Sequence, residues 1–158
     1  MDYVLAILAG LILFISLINF VSIRTPRGSS VITEKISVIV PLRNESENIV
    51  ELIQTLRNQK YLSDVEFLLL DDSSEDDTLT LLKQGCEGLE NFRVLSGSPL
   101  PQGWIGKTWA LQQLLQASRG QIIVSIDADV RLEPDAISCA VTLLKSCLLY
   151  TSPSPRDS

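Results

Sequence analysis

Between residues 36 and 146, short apolar segments rich in Val, Ile and Leu alternate with segments whose apolar residues recur every three or four positions. The short segments have the length and composition of buried parallel strands, and the longer segments have the spacing of amphipathic helices. This alternation predicts an α/β fold with a mostly parallel sheet. The predicted strands are 36–41, 65–70, 92–95 and 121–126, and the predicted helices are 45–59, 76–86, 107–117 and 134–145.

Acidic residues stand directly after two of the predicted strands, at the sheet edge where parallel sheets bind ligands. Asp71 and Asp72 follow the second strand, and Asp127 and Asp129 follow the fourth. Residues two apart on an extended backbone point the same way, so Asp127 and Asp129 are expected to face one cation. Carboxylate oxygens suit Mg²⁺ and Mn²⁺, and substrate phosphates often complete the coordination. The sequence therefore predicts a divalent-metal site at this edge.

A simpler interpretation assigns the acidic run at residues 71–77 to a helix start. Ser74 and Asp77 approximate a capping box, and acidic residues are favourable at a helix N-terminus. This interpretation does not explain Asp71 and Asp72, which precede the cap. Adjacent carboxylates repel each other unless a cation or a hydrogen-bond donor meets them, and a bound base with an N–H group would be such a donor.

Four short patterns, in this order along the chain, resemble glycosyltransferase family 2, which has the GT-A fold. Residues 41–45 resemble its opening P-x-x-N-E, and residues 70–78 resemble its V-D-D-G-S-x-D-x-T, with Ser73 in place of the usual Gly. Residues 104–111 are similar to the G-K-x-x-A-L element of members that glycosylate lipids, hopanoids or carotenoids. Residues 127–129 resemble the D-x-D of the family.

The resemblance covers residues 36–146 and implies the N-terminal part of a GT-A (Rossmann-like) domain that transfers a sugar from a nucleotide-diphosphate donor. It implies that Asp72 accepts a hydrogen bond from the base, that Asp127 contacts the ribose or sugar, and that Asp129 ligates Mg²⁺ or Mn²⁺. Such a cation would stabilise the charge that develops on the diphosphate leaving group. The other implied donor contacts are Pro41, Arg43, Glu45, Asp71 and Lys107.

The family's catalytic base is a carboxylate later in the chain than the D-x-D, and no convincing candidate follows Asp129. We therefore expect the donor site to be present and the 158-residue chain to be inactive on its own. Two other functions stay open. One is a nucleotidyltransferase, although such enzymes carry a Gly-rich loop where this chain has residues 41–45. The other is a non-catalytic, membrane-anchored nucleotide-binding module.

The N-terminal residues 4–23 form a run of 20 residues without a charge. As a helix this run reaches roughly 30 Å, about the thickness of a bilayer core. No Lys or Arg precedes it and no cleavage site follows it, so residues 1–23 are predicted to be a single membrane span rather than a signal peptide. Arg24 and Arg27 follow, which places the remaining chain in the cytoplasm. Residues 24–35 are expected to be a linker, and the acceptor is expected to be a lipid or membrane-bound.

The C-terminal residues 147–158 change abruptly to a Ser- and Pro-rich composition. Residues 147–157 resemble the translation of a common sequencing-library adapter, although a short disordered tail would have a similar composition. We expect this segment to be an artefact and the natural reading frame to continue past Ser146.

The overall composition argues against several classes of function. The net charge is −6 and there is no basic stripe, so nucleic acid is not an expected partner. The chain has no His, which excludes His-based catalysis and His-ligated zinc within it. Its three Cys have no paired spacing, so no disulfide or zinc framework is predicted.

Overall fold

The computed structural model describes residues 2–22 and 30–148. All the strands and helices predicted between residues 36 and 146 are present, in the predicted order. A helix also forms at the residues of the predicted N-terminal span. The elements are α1 (Asp2–Ser22), β1 (Ile36–Leu42), α2 (Ile49–Arg57), β2 (Val65–Asp71), α3 (Thr78–Gly85), β3 (Phe92–Ser96), α4 (Gly106–Ala117), β4 (Ile122–Ser125) and α5 (Ala136–Leu148).

The four strands form one parallel sheet in the order β3-β2-β1-β4. The chain builds the sheet from β1 outward to β3 and then returns to place β4 on the other side of β1. The strand order therefore reverses between β1 and β4. In open α/β sheets a crevice forms at such a reversal, beyond the carboxyl ends of the strands, and ligands bind there.

Alternate residues of β1 face two separate apolar layers, as the two-residue repeat of a strand requires. Val38, Val40 and Leu42 contribute to a large core that also contains apolar side chains of α2, α3 and α5. Ile39 faces the opposite side, where it packs with Leu68, Leu70 and two α4 residues, Ala110 and Leu114. The sheet is thus covered by helices on both faces, and the predicted α/β class is confirmed.

Three helices, α2, α3 and α5, begin later than predicted. Helix α3 begins at Thr78 rather than at residue 76. The residues before α2 and α5 are used in contacts with other segments. Helix α2 begins at Ile49 rather than at residue 45, since Glu45 N–H donates to Thr78 Oγ1 at the start of α3 and Ser46 N–H donates to Asp76 Oδ2 in the loop after β2. Helix α5 begins at Ala136 rather than at Pro134, whose carbonyl oxygen accepts a hydrogen bond from Lys60 N–H at 2.7 Å.

The apolar side chains described in α1 are exposed, for example Ile7 at 71% and Phe20 at 75%. Within residues 2–22 and 30–148, no helix was found with the length and hydropathy needed to cross a membrane. The predicted span is therefore not confirmed.

The predicted linker and tail lie partly outside the described residues. Arg24 and Arg27, the basic residues after the predicted span, lie outside the described residues. The described part of the linker is packed rather than free, because Ile32 is 1% exposed and forms an isolated parallel bridge with Leu62. In the predicted tail, α5 extends to Leu148, and residues 149–158 lie outside the description.

A buried polar cluster connects the strands at the amino end of the sheet. Glu66 is only 8% exposed and accepts hydrogen bonds from Ser37 Oγ at 2.6 Å, Arg119 N–H at 2.7 Å and Arg93 Nη1 at 3.2 Å. Burial raises the pKa of Glu66, but these bonds outweigh it and hold the pKa below its usual value. Gly120 N–H also donates to Ser37 Oγ at 2.8 Å, and a Cβ atom at Gly120 would lie 2.4 Å from Ser37 N.

The close approach of Gly120 to β1 predicts that Gly120→Ala lowers the free energy of unfolding by about 1–3 kcal/mol, because the added methyl group must displace backbone atoms. Urea unfolding measures the change. Gly10→Ala is the control, since a Cβ atom at Gly10 meets nothing within 4 Å. An unchanged midpoint for Gly120→Ala would contradict the packing described for this end of the sheet.

Candidate functional site

A cavity of about 350 Å³ opens at the reversal of strand order. It is formed by the loops after β1, β2 and β4 and by the first turn of α4. Seven of the eight residues predicted to bind the donor or the metal line this cavity, and Asp71 does not. The lining residues are Pro41, Leu42, Arg43, Glu45, Asp72, Gly106, Lys107, Ala110, Asp127, Ala128 and Asp129.

The two adjacent acids after β2 have different environments. Asp71 is the last residue of β2 and is 5% exposed, and its Oδ1 atom has no hydrogen-bond partner among the described residues. Asp72 lines the cavity, and its N–H donates to Leu42 O at 2.8 Å. Ser73, which replaces the usual Gly of the family pattern, has φ +58°, a left-handed value that favours glycine. The geometry thus supports a donor contact for Asp72 and gives none for Asp71.

The two acids after β4 lie in a turn rather than on an extended strand. Strand β4 ends at Ser125, and Val130 N–H donates to Asp127 O at 3.2 Å. The expectation that an extended backbone aligns Asp127 and Asp129 is therefore wrong. The turn nevertheless brings both carboxylates to the cavity.

This pair of carboxylates fits a hard divalent cation that takes its remaining ligands from substrate. Asp127 and Asp129 supply oxygen atoms of the type that Mg²⁺ and Mn²⁺ bind. Within the described part of the chain, no group of three or more His, Cys, Asp or Glu residues is arranged to hold a metal ion. A cation at this site would therefore depend on phosphate oxygens or water to complete its coordination.

An ion pair spans the cavity from α4 to the turn after β4. Lys107 Nζ lies 2.7 Å from Asp127 Oδ1, and the two side chains are 61% and 56% exposed. Exposed ion pairs contribute only about 0–1 kcal/mol, so this contact is readily exchanged for a ligand. The helix begins beside it at Gly106, with Ile105 as an N-cap residue that forms no side-chain cap. The start of α4 thus adds the positive end of a helix dipole to the Lys107 side of the cavity.

Hydrogen bonds between the loops after β1 and β2 hold the two sides of the cavity together. Asn44 N–H donates to Ser74 Oγ at 2.9 Å, and Glu75 N–H donates to Asn44 Oδ1 at 2.8 Å. Asn44 adopts φ +53°, a conformation that Asn tolerates better than most residues. Asn44 and Ser74 do not line the cavity, yet they join the loop that carries Arg43 to the loop that follows Asp72. Sequence reasoning missed this role because the partners are distant in the chain.

The predicted capping box of Ser74 and Asp77 is not formed. Ser74 is used between the loops, and Asp77 is the N-cap residue of α3 without a side-chain cap. Asp76 caps the helix start instead. Its Oδ1 atom accepts from Thr78 N–H at 3.0 Å, and its Oδ2 atom accepts from Ser46 N–H at 3.1 Å. The Thr78 hydroxyl and these N–H groups lower the pKa of Asp76 to about 2, against the opposing effect of burial.

The domain that contains the cavity matches a known protein family. Residues 37–147 match the model of the family described as "Glycosyl transferase family 2". The chain belongs to glycosyl transferase family 2. This membership leaves the nucleotidyltransferase alternative without support.

Two similar proteins have names that refer to a glucosyldiacylglycerol and to a diaponeurosporenoate. A beta-monoglucosyldiacylglycerol synthase of Trichormus variabilis is 32% identical over 111 residues, which are 70% of this chain and 23% of that protein. A 4,4'-diaponeurosporenoate glycosyltransferase of Staphylococcus haemolyticus is 31% identical over 100 residues, which are 63% of this chain and 25% of that protein. The chain thus spans about a quarter of the length of these relatives.

Solved structures agree with the fold. A mannosyltransferase from Pyrobaculum calidifontis, in complex with GDP-Man and Mn²⁺, superposes with a TM-score of 0.68 at 23% identity, covering 85% of this chain and 39% of that one. Glucosyl-3-phosphoglycerate synthase from Mycobacterium tuberculosis, in complex with Mn²⁺, UDP and glucosyl-3-phosphoglycerate, gives a TM-score of 0.53 at 27% identity and covers 76% and 41%. The expected GT-A fold is therefore confirmed.

The hydrogen bonds accepted by Asp76 predict that the folded protein loses stability at low pH when this carboxylate is protonated. Because the pKa of Asp76 is lowered from 3.8 to about 2 on folding, its stabilising effect is present above pH 3.8 and is lost as the pH falls towards 2. We expect the melting temperature of Asp76→Asn to fall less steeply than that of the wild type between pH 4 and pH 2. Asp64→Asn removes an exposed carboxylate 3.9 Å from Lys35 and serves as the control. Equal slopes for Asp76→Asn and the wild type would contradict the assignment.

Proposed function

We propose that this family 2 domain binds a nucleotide-diphosphate sugar together with Mg²⁺ or Mn²⁺ and serves a sugar transfer to a lipid acceptor. The main support for this proposal is that four charged side chains line the same cavity. They are Asp72 after β2, Lys107 at the start of α4, and Asp127 and Asp129 in the turn after β4. These groups match the base, the phosphates and the metal of such a donor.

Each cavity residue has a role that follows from its chemistry. Asp72 accepts a hydrogen bond from an N–H group of the base, and Pro41 and Glu45 border the nucleoside. Asp129 ligates the cation, and Asp127 contacts the ribose or sugar. A divalent cation supplies charge stabilisation for the departing diphosphate. The mycobacterial synthase with bound Mn²⁺ and UDP supports this combination of ligands.

The cationic side chains of the cavity provide a second contact for the phosphates. Arg43 comes from the loop after β1, and Lys107 comes from the start of α4. When the donor enters, Lys107 exchanges its exposed contact with Asp127 for a phosphate oxygen, which frees Asp127 for the sugar. This exchange costs little because both side chains are largely solvated beforehand.

A lipid acceptor is supported by an exposed apolar loop next to the cavity. Residues 96–106 carry no charge, and they include Leu100, Trp104 and Ile105 at 53%, 41% and 75% exposure. Trp104 packs edge-on against Trp109, with ring centroids 5.2 Å apart. The loop leads directly into Gly106 and Lys107, so an apolar acceptor lying against it would be close to the donor. The names of the two lipid-modifying relatives agree with this acceptor class.

We propose in addition that the chain lies at a membrane with its transferase domain in the cytoplasm. The uncharged run at residues 4–23 and the following Arg24 and Arg27 support this location. Resistance of the chain to carbonate extraction, with protease access to the domain from the cytoplasmic side only, is the expected result. Full recovery in the soluble fraction would contradict it.

The metal role of Asp129 predicts that Asp129→Asn weakens Mn²⁺-dependent binding of UDP or GDP by about tenfold or more, as judged from losses at metal sites generally. Isothermal titration with and without EDTA measures the effect, and EDTA should weaken wild-type binding similarly. Asp135→Asn is the control, since Asp135 lies outside the cavity lining. Nucleotide binding that is equally tight in EDTA would contradict a metal-assisted donor site.

If the apolar loop at residues 96–106 contacts the lipid acceptor, vesicles of diacylglycerol and brominated phosphatidylcholine should quench the fluorescence of Trp104. The chain has two Trp residues, so Trp109→Phe isolates Trp104 and Trp104→Phe isolates Trp109. We expect stronger quenching of Trp104, because it is the more exposed of the two rings. Quenching of neither residue would contradict the assignment of this loop to the acceptor.

A further inference from the structure

Arg131 lies two residues after Asp129, and its guanidinium group donates four hydrogen bonds. Its Nε atom donates to Glu51 Oε2 at 2.7 Å, and its Nη2 atom donates to Asn48 Oδ1 at 2.8 Å. Its Nη1 atom donates to Ala128 O at 3.2 Å and to Val130 O at 3.3 Å. The guanidinium group therefore joins α2 and the residue before it to the backbone of the acidic turn.

These contacts continue to the cavity through one more hydrogen bond. Asn48 Nδ2 donates to Glu45 Oε2 at 2.7 Å, and Glu45 lines the cavity. Arg131 itself does not line the cavity. It thus connects the loop after β1 with the turn after β4, the two loops that meet at the reversal of strand order.

We propose that Arg131 is a positioning residue that holds Asp127 and Asp129 in the orientation needed to bind the metal–nucleotide pair. The inference rests on the proposed function of the cavity. The carbonyl of Ala128 belongs to the peptide unit that joins Ala128 to Asp129, so the bond from Arg131 restricts the rotation of the backbone between the two acids. A guanidinium group has five donors in a fixed planar arrangement, and a lysine cannot reproduce these simultaneous contacts.

The positioning role can be separated from a general structural role. The Arg131–Glu51 ion pair is partly exposed, with side chains at 34% and 68%, and solvent-exposed pairs contribute only about 0–1 kcal/mol to stability. Residues that orient metal ligands usually affect metal affinity by about 10–100-fold when they are replaced. Replacement of Arg131 should therefore change binding much more than folding.

Arg93 provides a matched control at the opposite end of the sheet. Its Nη1 atom donates to Glu66 Oε2 at 3.2 Å and to Ala117 O at 3.0 Å, so it also bonds one carboxylate and a backbone carbonyl. Its side chain is 33% exposed, against 34% for Arg131. Arg93→Gln thus removes one contact with a carboxylate and one with a backbone carbonyl, at the end of the sheet opposite to the cavity.

The experiment measures Mn²⁺ binding by electron paramagnetic resonance in the presence of UDP or GDP, together with the melting temperature. We expect Arg131→Gln to weaken Mn²⁺–nucleotide binding about tenfold or more and to broaden the bound Mn²⁺ spectrum, because the carboxylates become less uniformly placed. Arg131→Lys should recover part of the affinity. Arg93→Gln should lower the melting temperature and leave both the affinity and the spectrum unchanged.

The outcomes distinguish this inference from the proposed function. If the wild type binds Mn²⁺ with nucleotide and Arg131→Gln binds it equally well, the positioning role is wrong and the donor site stands. Equal losses of affinity in Arg131→Gln and Arg93→Gln would also overturn the positioning role, because they would indicate general destabilisation. If the wild type binds neither Mn²⁺ nor nucleotide, the proposed function fails and the inference fails with it.

Discussion

The pairing of β1 with β2 on one side and with β4 on the other is the constraint on which the rest of the structure depends. It brings the carboxyl ends of three strands to one edge, although their residues are up to about ninety positions apart in the chain. The reversal of strand order opens a crevice at that edge, and each loop that enters it carries polar side chains. The cavity is therefore a consequence of topology, and the side chains determine what it can bind.

The cavity is shaped by residues that do not line it. Asn44 and Ser74 fasten the loop after β1 to the loop after β2, and Arg131 fastens the turn after β4 to α2. Lys107 and Asp127 remain more than half exposed and available for ligand. Under the proposed function, charged groups that are already in place for a diphosphate and a cation limit the reorganisation that binding requires.

Much of the fold and most of the site were predictable from local sequence. Strands and helices follow from apolar periodicity, and seven of the eight proposed ligand-binding residues lie in the cavity because they follow strands or begin a helix. The failures arise from long-range contacts. The late start of α2, the different environments of Asp71 and Asp72, and the role of Arg131 depend on partners in other loops, which periodicity does not reveal. The strand order likewise depends on tertiary packing.

Under the proposed function, a protein-bound cation and the donor diphosphate share this cavity. Pulsed electron paramagnetic resonance of the chain with Mn²⁺ and UDP or GDP is the sharpest test, because it detects coupling between Mn²⁺ and the ³¹P nuclei of the diphosphate. We expect ³¹P coupling in the wild type and its loss in Asp129→Asn. Protein-bound Mn²⁺ without ³¹P coupling, or coupling that is unchanged in Asp129→Asn, would overturn the proposed function.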